Sequence, residues 1–262
     1  METLKALTNY YSGYDEEGRL LSRHGSVEYL TTMRYIEKYL KPGMRILEIG
    51  AATGRYSHAL ARMGYQVDAV ELIEHNIRIF NEKTQPGENV TVRQGNAKDL
   101  YFYEDDTFDM TLLLGPMYHL FTVEDQRRAL SEAIRVTKSG GLIYAAYCGN
   151  EATMIQFCFG RGMIRERRYR DLIDPVTFKA SSDPAELFQL YRREDIDELL
   201  EGLGVERLHY VGTDLATNYM RQTVDEMDDE LFDLYLKYHF SICERSDLVG
   251  ASHHVLDILR KE

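Results

Sequence analysis

The chain has 262 residues, 44% of them hydrophobic, and a net charge of −12. That length allows one large domain or two small ones, and the acidic balance disfavours broad contact with a nucleic-acid backbone, so no nucleic-acid partner is expected. No apolar run approaches the roughly 20 residues that span a bilayer, and METLKALTNYYSGYDEEGR shows no basic stretch leading into an apolar one, so neither membrane nor secretory leader is expected.

The first forty residues end in a predicted helix, with Val27, Leu30, Met33, Ile36 and Leu40 at three- or four-residue spacing and Pro42-Gly43 as the stop. Strand and helix patterns then alternate. Strands are predicted at Arg45–Ile49, Gln66–Val70, Val90–Arg93, Asp109–Leu114 and Leu142–Tyr147. Helices are predicted at Tyr56–Met63, Glu74–Lys83 and Glu124–Val136. Thr122 and Asp125 are placed for a capping box on the last helix, and Lys138-Ser139-Gly140-Gly141 for its C-terminus. Near-continuous apolar strands between amphipathic helices predict a parallel sheet covered on both faces.

Beyond Tyr147 the pattern loosens. Residues 150–190 read as irregular to helical, Arg193–Leu203 as a helix, Val205–Val211 as a strand, Val224–Phe240 as a helix and Ser252–Leu259 as a last strand. The organisation expected is a single domain over 1–262. It comprises a helical cap (1–40), a ligand-binding core (41–149), lid insertions (150–190 and 214–248) and the last strands (191–213 and 249–262). Stretches that long without regular structure are commonly functional.

Ligands of such sheets bind at the carboxyl ends of the strands, where strand order reverses. The first such end is Glu48-Ile49-Gly50-Ala51-Ala52-Thr53-Gly54. Gly50 permits a sharp exit from the strand, while Ala52 and Gly54 let backbone approach a ligand. A dinucleotide fingerprint G-x-G-x-x-G/A begun at Gly50 fails at Arg55 and is weakened at Ala52. A P-loop is absent, because no G-K-[ST] follows.

The pattern resembles the class I S-adenosylmethionine-dependent methyltransferases, whose first motif is acid-x-Gly-x-Gly-x-Gly. Residues 48–54 match it with alanine as the middle glycine. Further matches follow in order: the acid Glu71 closing the second strand, QGNAKDL (Gln94–Leu100) with Asn96 where aspartate is more usual, FDMTLLLGPMYHL (Phe108–Leu120) and AIRVTKSGGLIYAAY (Ala133–Tyr147). The Gly-Pro-Met-Tyr-His loop is similar to that of uncharacterised bacterial small-molecule methyltransferases. The [N/D]-P-P-[Y/F] motif of enzymes acting on nucleic-acid bases or protein glutamine is absent.

The resemblance implies an α/β, three-layer, doubly wound seven-stranded sheet with one antiparallel strand, here Ser252–Leu259. It implies S-adenosylmethionine as cofactor and S-adenosylhomocysteine as product. Glu71 would accept hydrogen bonds from both ribose hydroxyls, Asn96 and the backbone of Ala97 would address adenine, and Gly50 and Gly54 would line the methionyl moiety with Glu48 near its ammonium. Ala51, Ala52, Leu72 and Leu114 complete the cofactor set. Two blander roles stay open: Glu48 as a turn cap and Asn96 as a turn residue. The expected acceptor is a small molecule, against Tyr11, Tyr14, Tyr118, His119 and Tyr147; a macromolecular acceptor such as rRNA or protein, or a protein that binds the cofactor without catalysis, is the alternative.

His119 is either a general base, with a pKa near neutrality, or part of a wall. Tyr10, Tyr11 and Tyr14 are either a lid over the site or a packed arm. The arginines of Arg161–Arg170 either grip an anionic acceptor or coat a solvated helix. His253 and His254 would point to opposite faces of a strand and so could not share an ion; no metal is expected. Cys148, Cys158 and Cys243 lack zinc-ligand or redox spacing, which fits a reducing, cytoplasmic setting. A monomer or a homodimer is expected.

Overall fold

The computed structural model describes residues 6–10, 22–182 and 188–262. Helix α1 spans Arg23–Tyr39; Ser22 caps it by accepting a hydrogen bond from the Gly25 N–H. Strands β1 (Arg45–Ile49), β2 (Gln66–Glu71), β3 (Val90–Gln94) and β4 (Phe108–Leu113) alternate with helices α2 (Arg55–Arg62) and α3 (Glu74–Lys83). Helix α4 (Val123–Val136) leads into the long strand β5 (Thr137–Gly149). The sheet is ordered β3-β2-β1-β4-β5-β8-β7, where β7 is Val205–Gly212 and β8 is His254–Lys261. β8 runs antiparallel to both neighbours and the other pairings are parallel.

Alternate residues of the central strands feed two cores. Leu47, Ile49, Leu113, Ile143 and Ala145 pack with α4 residues Ala129, Leu130 and Ala133, and with Ile196 and Leu199 of helix α5 (Arg193–Leu200). Ile46, Val67, Met110, Leu112 and Tyr144 pack on the other face with Met33 and Ile36 of α1 and Leu60 of α2. Both faces of the sheet are therefore dry, which is why its strands read as unbroken apolar runs.

The expected seven strands, one of them antiparallel, form the main path of a sheet that has an eighth, short strand beside β5, and several boundaries shift. β8 starts at His254 rather than Ser252. α5 ends at Leu200, short of the expected Leu203. β5 begins at Thr137, directly after α4. Phe108 pairs with Thr137 but Met110 pairs with Leu142, so the stretch expected as a helix end is an outward bulge of the strand, with Gly140 at φ +74°. The helix expected over Val224–Phe240 is two, α6 (Arg221–Asp225) and α7 (Asp229–Ile242). Asp228 divides them because its carboxylate accepts from the Leu231 N–H and starts a new helix. The two-residue strand β6 (Leu190–Tyr191), paired with Cys148 and Gly149, was not expected; so short an element leaves no periodicity to read.

Candidate active site

Strand order reverses between β1 and β4, and the two loops leaving them touch there. Gly50 sits at φ +78°, and a Cβ added to it would lie 2.6 Å from Cδ of Pro116 in the β4 loop. A cavity of about 980 Å³ opens at this point. Its floor is the carboxyl ends of β1, β2, β4, β5 and the start of β8; its roof includes His24 and Glu28 of α1, Phe157, Tyr169 and Phe188.

The β1 loop is held by two carboxylates. Glu71, at the end of β2, accepts through Oε2 from the Ala52 N–H (2.9 Å) and through Oε1 from the Ile73 N–H (2.8 Å) and the Asn76 amide (3.3 Å). Burial pushes its carboxyl above the ordinary range, opposed by those same N–H groups. Glu48 is 2% exposed and accepts through Oε2 from the N–H of Ser57 (2.9 Å) and from its hydroxyl. It thereby caps the first turn of α2. Burial pushes its carboxyl up to about 7 despite the Ser57 bonds, with Glu71 adding in the same direction. Between them the loop backbone is left-handed at Gly50, Ala52 (φ +48°) and Gly54 (φ +88°).

Glu48, Gly50, Ala51, Ala52, Glu71, Leu72, Asn96, Ala97 and Leu114 all line the cavity. Gly54 does not. A Cβ there would lie 2.5 Å from the Phe80 ring and 2.7 Å from Nε2 of His58, so packing of α2 against α3 already requires its smallness. Asn96 Oδ1 accepts from the Lys98 N–H (3.0 Å), the local turn that sequence alone left open.

On the other side, Tyr118 and His119 line the cavity, next to Phe188. Tyr118 donates its hydroxyl to the Leu114 carbonyl (2.6 Å), which ties the β4 loop back on its own strand. Tyr147 belongs elsewhere. It is fully buried in the core, stacked edge-on to Tyr191 at 5.0 Å, and its hydroxyl has no partner. Side chains alternate along β5, so its neighbours Ala146 and Cys148 face the cavity instead. Tyr11 and Tyr14 lie outside the described residues; Tyr10 lines the cavity. The Arg161–Arg170 stretch contributes Met163 and Tyr169 but no arginine; Arg167 and Arg168 pair with Asp171 and Glu166 in solvent.

One chain feature runs against the expectation of strand alternation. β8 starts at His254, so His253 stands in the loop before it, and the two rings meet at 4.3 Å. Both face the cavity together with Asp214, which follows β7. Sequence gave no signal for Asp214, Glu28 or His24, because separate segments bring them to the site.

This is the architecture of the class I S-adenosylmethionine-dependent methyltransferases. Residues 46–141 match the family model described as a methyltransferase domain. Among curated proteins, the chain is 32% identical over 133 residues to a demethylmenaquinone methyltransferase of Clavibacter sepedonicus, covering 50% of this chain and 52% of that one. It is 32% identical over 128 residues to a ubiquinone biosynthesis O-methyltransferase of Methylocella silvestris, 48% of each chain. The chain thus spans about half the length of the curated relatives it matches. Among solved structures it superposes with a TM-score of 0.60, at 19% identity, on a methyltransferase of Thermotoga maritima described as a possible histamine N-methyltransferase, covering 99% of this chain and 100% of that one. A methyltransferase from Methanosarcina mazei gives 0.58 at 18% identity, covering 87% and 96%. Among the described residues, no helix is long and apolar enough to cross a membrane.

Proposed function

We propose that the protein transfers a methyl group from S-adenosylmethionine to a small molecule. The observation that carries this reading is the Glu71 carboxylate, buried at the end of β2 and aimed into the cavity while two backbone N–H groups fix its orientation. Of its roughly four lone-pair sites one remains on Oε2, and the long Asn76 contact (3.3 Å) can yield the second that a vicinal diol needs. Glu48 and Glu71 together make this end of the cavity acidic, which suits a ligand carrying an ammonium and a sulfonium. When bound, the cofactor supplies a methyl group already attached to a good leaving group.

This chain's residues bind, orient and exclude water. Glu71 takes the ribose hydroxyls; Asn96 and the Ala97 N–H take adenine; Gly50, Ala51 and Ala52 offer backbone to the methionyl part, with Glu48 beneath. Leu72 and Leu114 are apolar walls. Tyr118 and His119 face the acceptor, and His119 acts there as wall, since an activated methyl asks little of a base. The cavity is at the upper end of the range for one ligand, which leaves room for cofactor and acceptor together. Its roof of α1, Phe157, Tyr169 and Phe188 favours a small acceptor over a macromolecule. Relatives named for demethylmenaquinone and for ubiquinone biosynthesis point the same way. We assign residues 150–182 and 214–248 to a lid.

The test is calorimetry with S-adenosylmethionine, followed by transfer of labelled methyl to a metabolite extract. Glu71→Gln keeps one acceptor and loses the other. At about 1.5–3 kcal/mol for a charge-assisted bond and about 1.4 kcal/mol per decade, affinity should fall roughly 10- to 150-fold. Unchanged affinity in a folded variant would overturn the ribose assignment. Tight cofactor binding without transfer to any metabolite would make the protein a binder of the cofactor rather than an enzyme.

A further inference from the structure

Three segments converge on the acceptor side of the cavity: α1 from the roof, the turn after β7, and the start of β8. There Nδ1 of His254 lies 3.0 Å from Oδ2 of Asp214, 3.3 Å from Nδ1 of His253 and 3.3 Å from Oε2 of Glu28. Nδ1 of His253 lies 3.9 Å from the same Asp214 oxygen. We propose that Asp214, His253 and His254 form a binding site for a divalent transition-metal ion, leaving a fourth coordination position to a ligand from the cavity.

The spacing is the first argument. Ligand atoms about 2.0–2.1 Å from a tetrahedral ion stand about 3.4 Å apart, and the 3.0, 3.3 and 3.9 Å separations among Asp214, His254 and His253 bracket that edge. Among the described residues, these are the three histidine, cysteine or acidic side chains whose ligand atoms come together this closely.

The second argument is orientation. Oδ1 of Asp214 is fully occupied: it accepts from the Ser252 hydroxyl (2.7 Å) and from the backbone N–H groups of His253 (2.9 Å) and His254 (3.2 Å). Those outer bonds fix the carboxylate so that its other oxygen points at the two imidazoles, the arrangement by which metal ligands are held in place. The third argument is the proton count. Two ring nitrogens face each other with one Asp214 oxygen beside both. An N–H placed on one nitrogen can serve one of its neighbours well, not two. A cation satisfies all three donor atoms at once.

Imidazole and carboxylate donors without thiolate suit Zn²⁺, Mn²⁺, Fe²⁺ or Co²⁺. His254 is paired with Cys148 at the end of β5, on the side of β4 away from β1, so the ion stands clear of the Glu48–Glu71 end. What it would do there, namely hold an oxygen of the acceptor, rests on the methyltransferase reading; the binding itself does not.

The probe is Co²⁺ added to full-length protein stripped with a chelator. The expected result is one equivalent bound, visible d–d absorption, displacement by Zn²⁺, and hyperfine-shifted ring N–H signals from two histidines in the proton NMR spectrum of the wild-type protein. His253→Ala should weaken Co²⁺ binding about a hundredfold or more while circular dichroism stays native. The NMR spectrum decides the matter without any variant if that one does not fold. Folded wild-type protein with no saturable Co²⁺ binding, Co²⁺ spectra lacking two imidazoles, or an unchanged affinity in His253→Ala would overturn the proposal and leave a hydrogen-bonded acid–base cluster. Calorimetry with S-adenosylmethionine on the same wild-type sample reports on the methyltransferase reading separately, so either can fail while the other stands.

Discussion

Glu48→Gln separates the electrostatic cost of the site from its use. Glu48 is buried, so its carboxyl is pushed from 4.5 up to about 7. A carboxyl whose pKa is higher in the folded than in the unfolded state binds a proton more readily when folded. Its stabilising contribution is therefore complete below pH 4.5 and is lost as pH rises through about 7. At about 1.4 kcal/mol per pH unit across that window, wild-type protein should lose about 3 kcal/mol that the variant retains. Glutamine mimics the protonated acid at every pH and keeps one oxygen for the Ser57 N–H and hydroxyl. Urea unfolding from pH 4.5 to 8.5 is the assay. The two proteins should match at the acid end, and the variant should be more stable above pH 7.5. A cationic ligand beside Glu48 reverses the preference: S-adenosylmethionine binding at pH 6 should release more of a proton from wild type than from the variant, in which Glu71 is the remaining raised carboxyl, read by calorimetry in buffers of different ionisation enthalpy. A constant stability difference between the two across the whole range would show that Glu48 ionises normally and refute the argument.

Three further outcomes are expected. Gly54→Ala combines a left-handed backbone with a Cβ 2.5 Å from Phe80, and should cost about 2–4 kcal/mol in denaturant unfolding; a cost under 0.5 kcal/mol would mean α2 and α3 shift freely. Tyr147→Phe removes a buried hydroxyl without a partner and should be neutral or stabilising by about 1 kcal/mol, with methyl transfer unaltered; a large rise in the acceptor's KM would return Tyr147 to the site. Hydrogen exchange in residues 150–182 and 214–248 should slow when S-adenosylhomocysteine is added; protection confined to Gly50–Gly54 and Glu71 would deny those segments the role of a lid.

The parts of the fold that were legible are those dictated by local pattern. β1 is found at its expected residues because a strand dry on both faces is simply an apolar run. β6 was illegible because two residues carry no period. The bulge at Lys138–Gly141 was misread because Gly140 serves a strand kink as readily as a helix end. Asp228 showed no break in a helical pattern, yet its side chain starts a second helix.

The cavity divides along the same line. Its Glu48–Glu71 end is built by two consecutive strand–loop–helix units, so the chemistry lies within one stretch of chain and its spacing can be read. Even there, sequence supplied the residue and not every reason for it: Phe80 and His58 crowd Gly54, a packing demand that spacing alone does not reveal. The opposite end is assembled from α1, the turn after β7 and the start of β8. Nothing in the spacing of Glu28, Asp214 and His253 ties them together; the β7–β8 pairing brings Asp214 beside His253, and α1 places Glu28 against His254. Alternation misled twice there, by going unapplied to Tyr147, which lies within a strand, and by being applied to His253, which lies outside one. One end of the cavity is thus written in a contiguous segment and the other in distant segments, so the first can be read from spacing and the second only from the fold. On the proposed reading, in which the second end faces the acceptor, substitutions at His253 and Asp214 should move the acceptor's KM more than the affinity for S-adenosylmethionine.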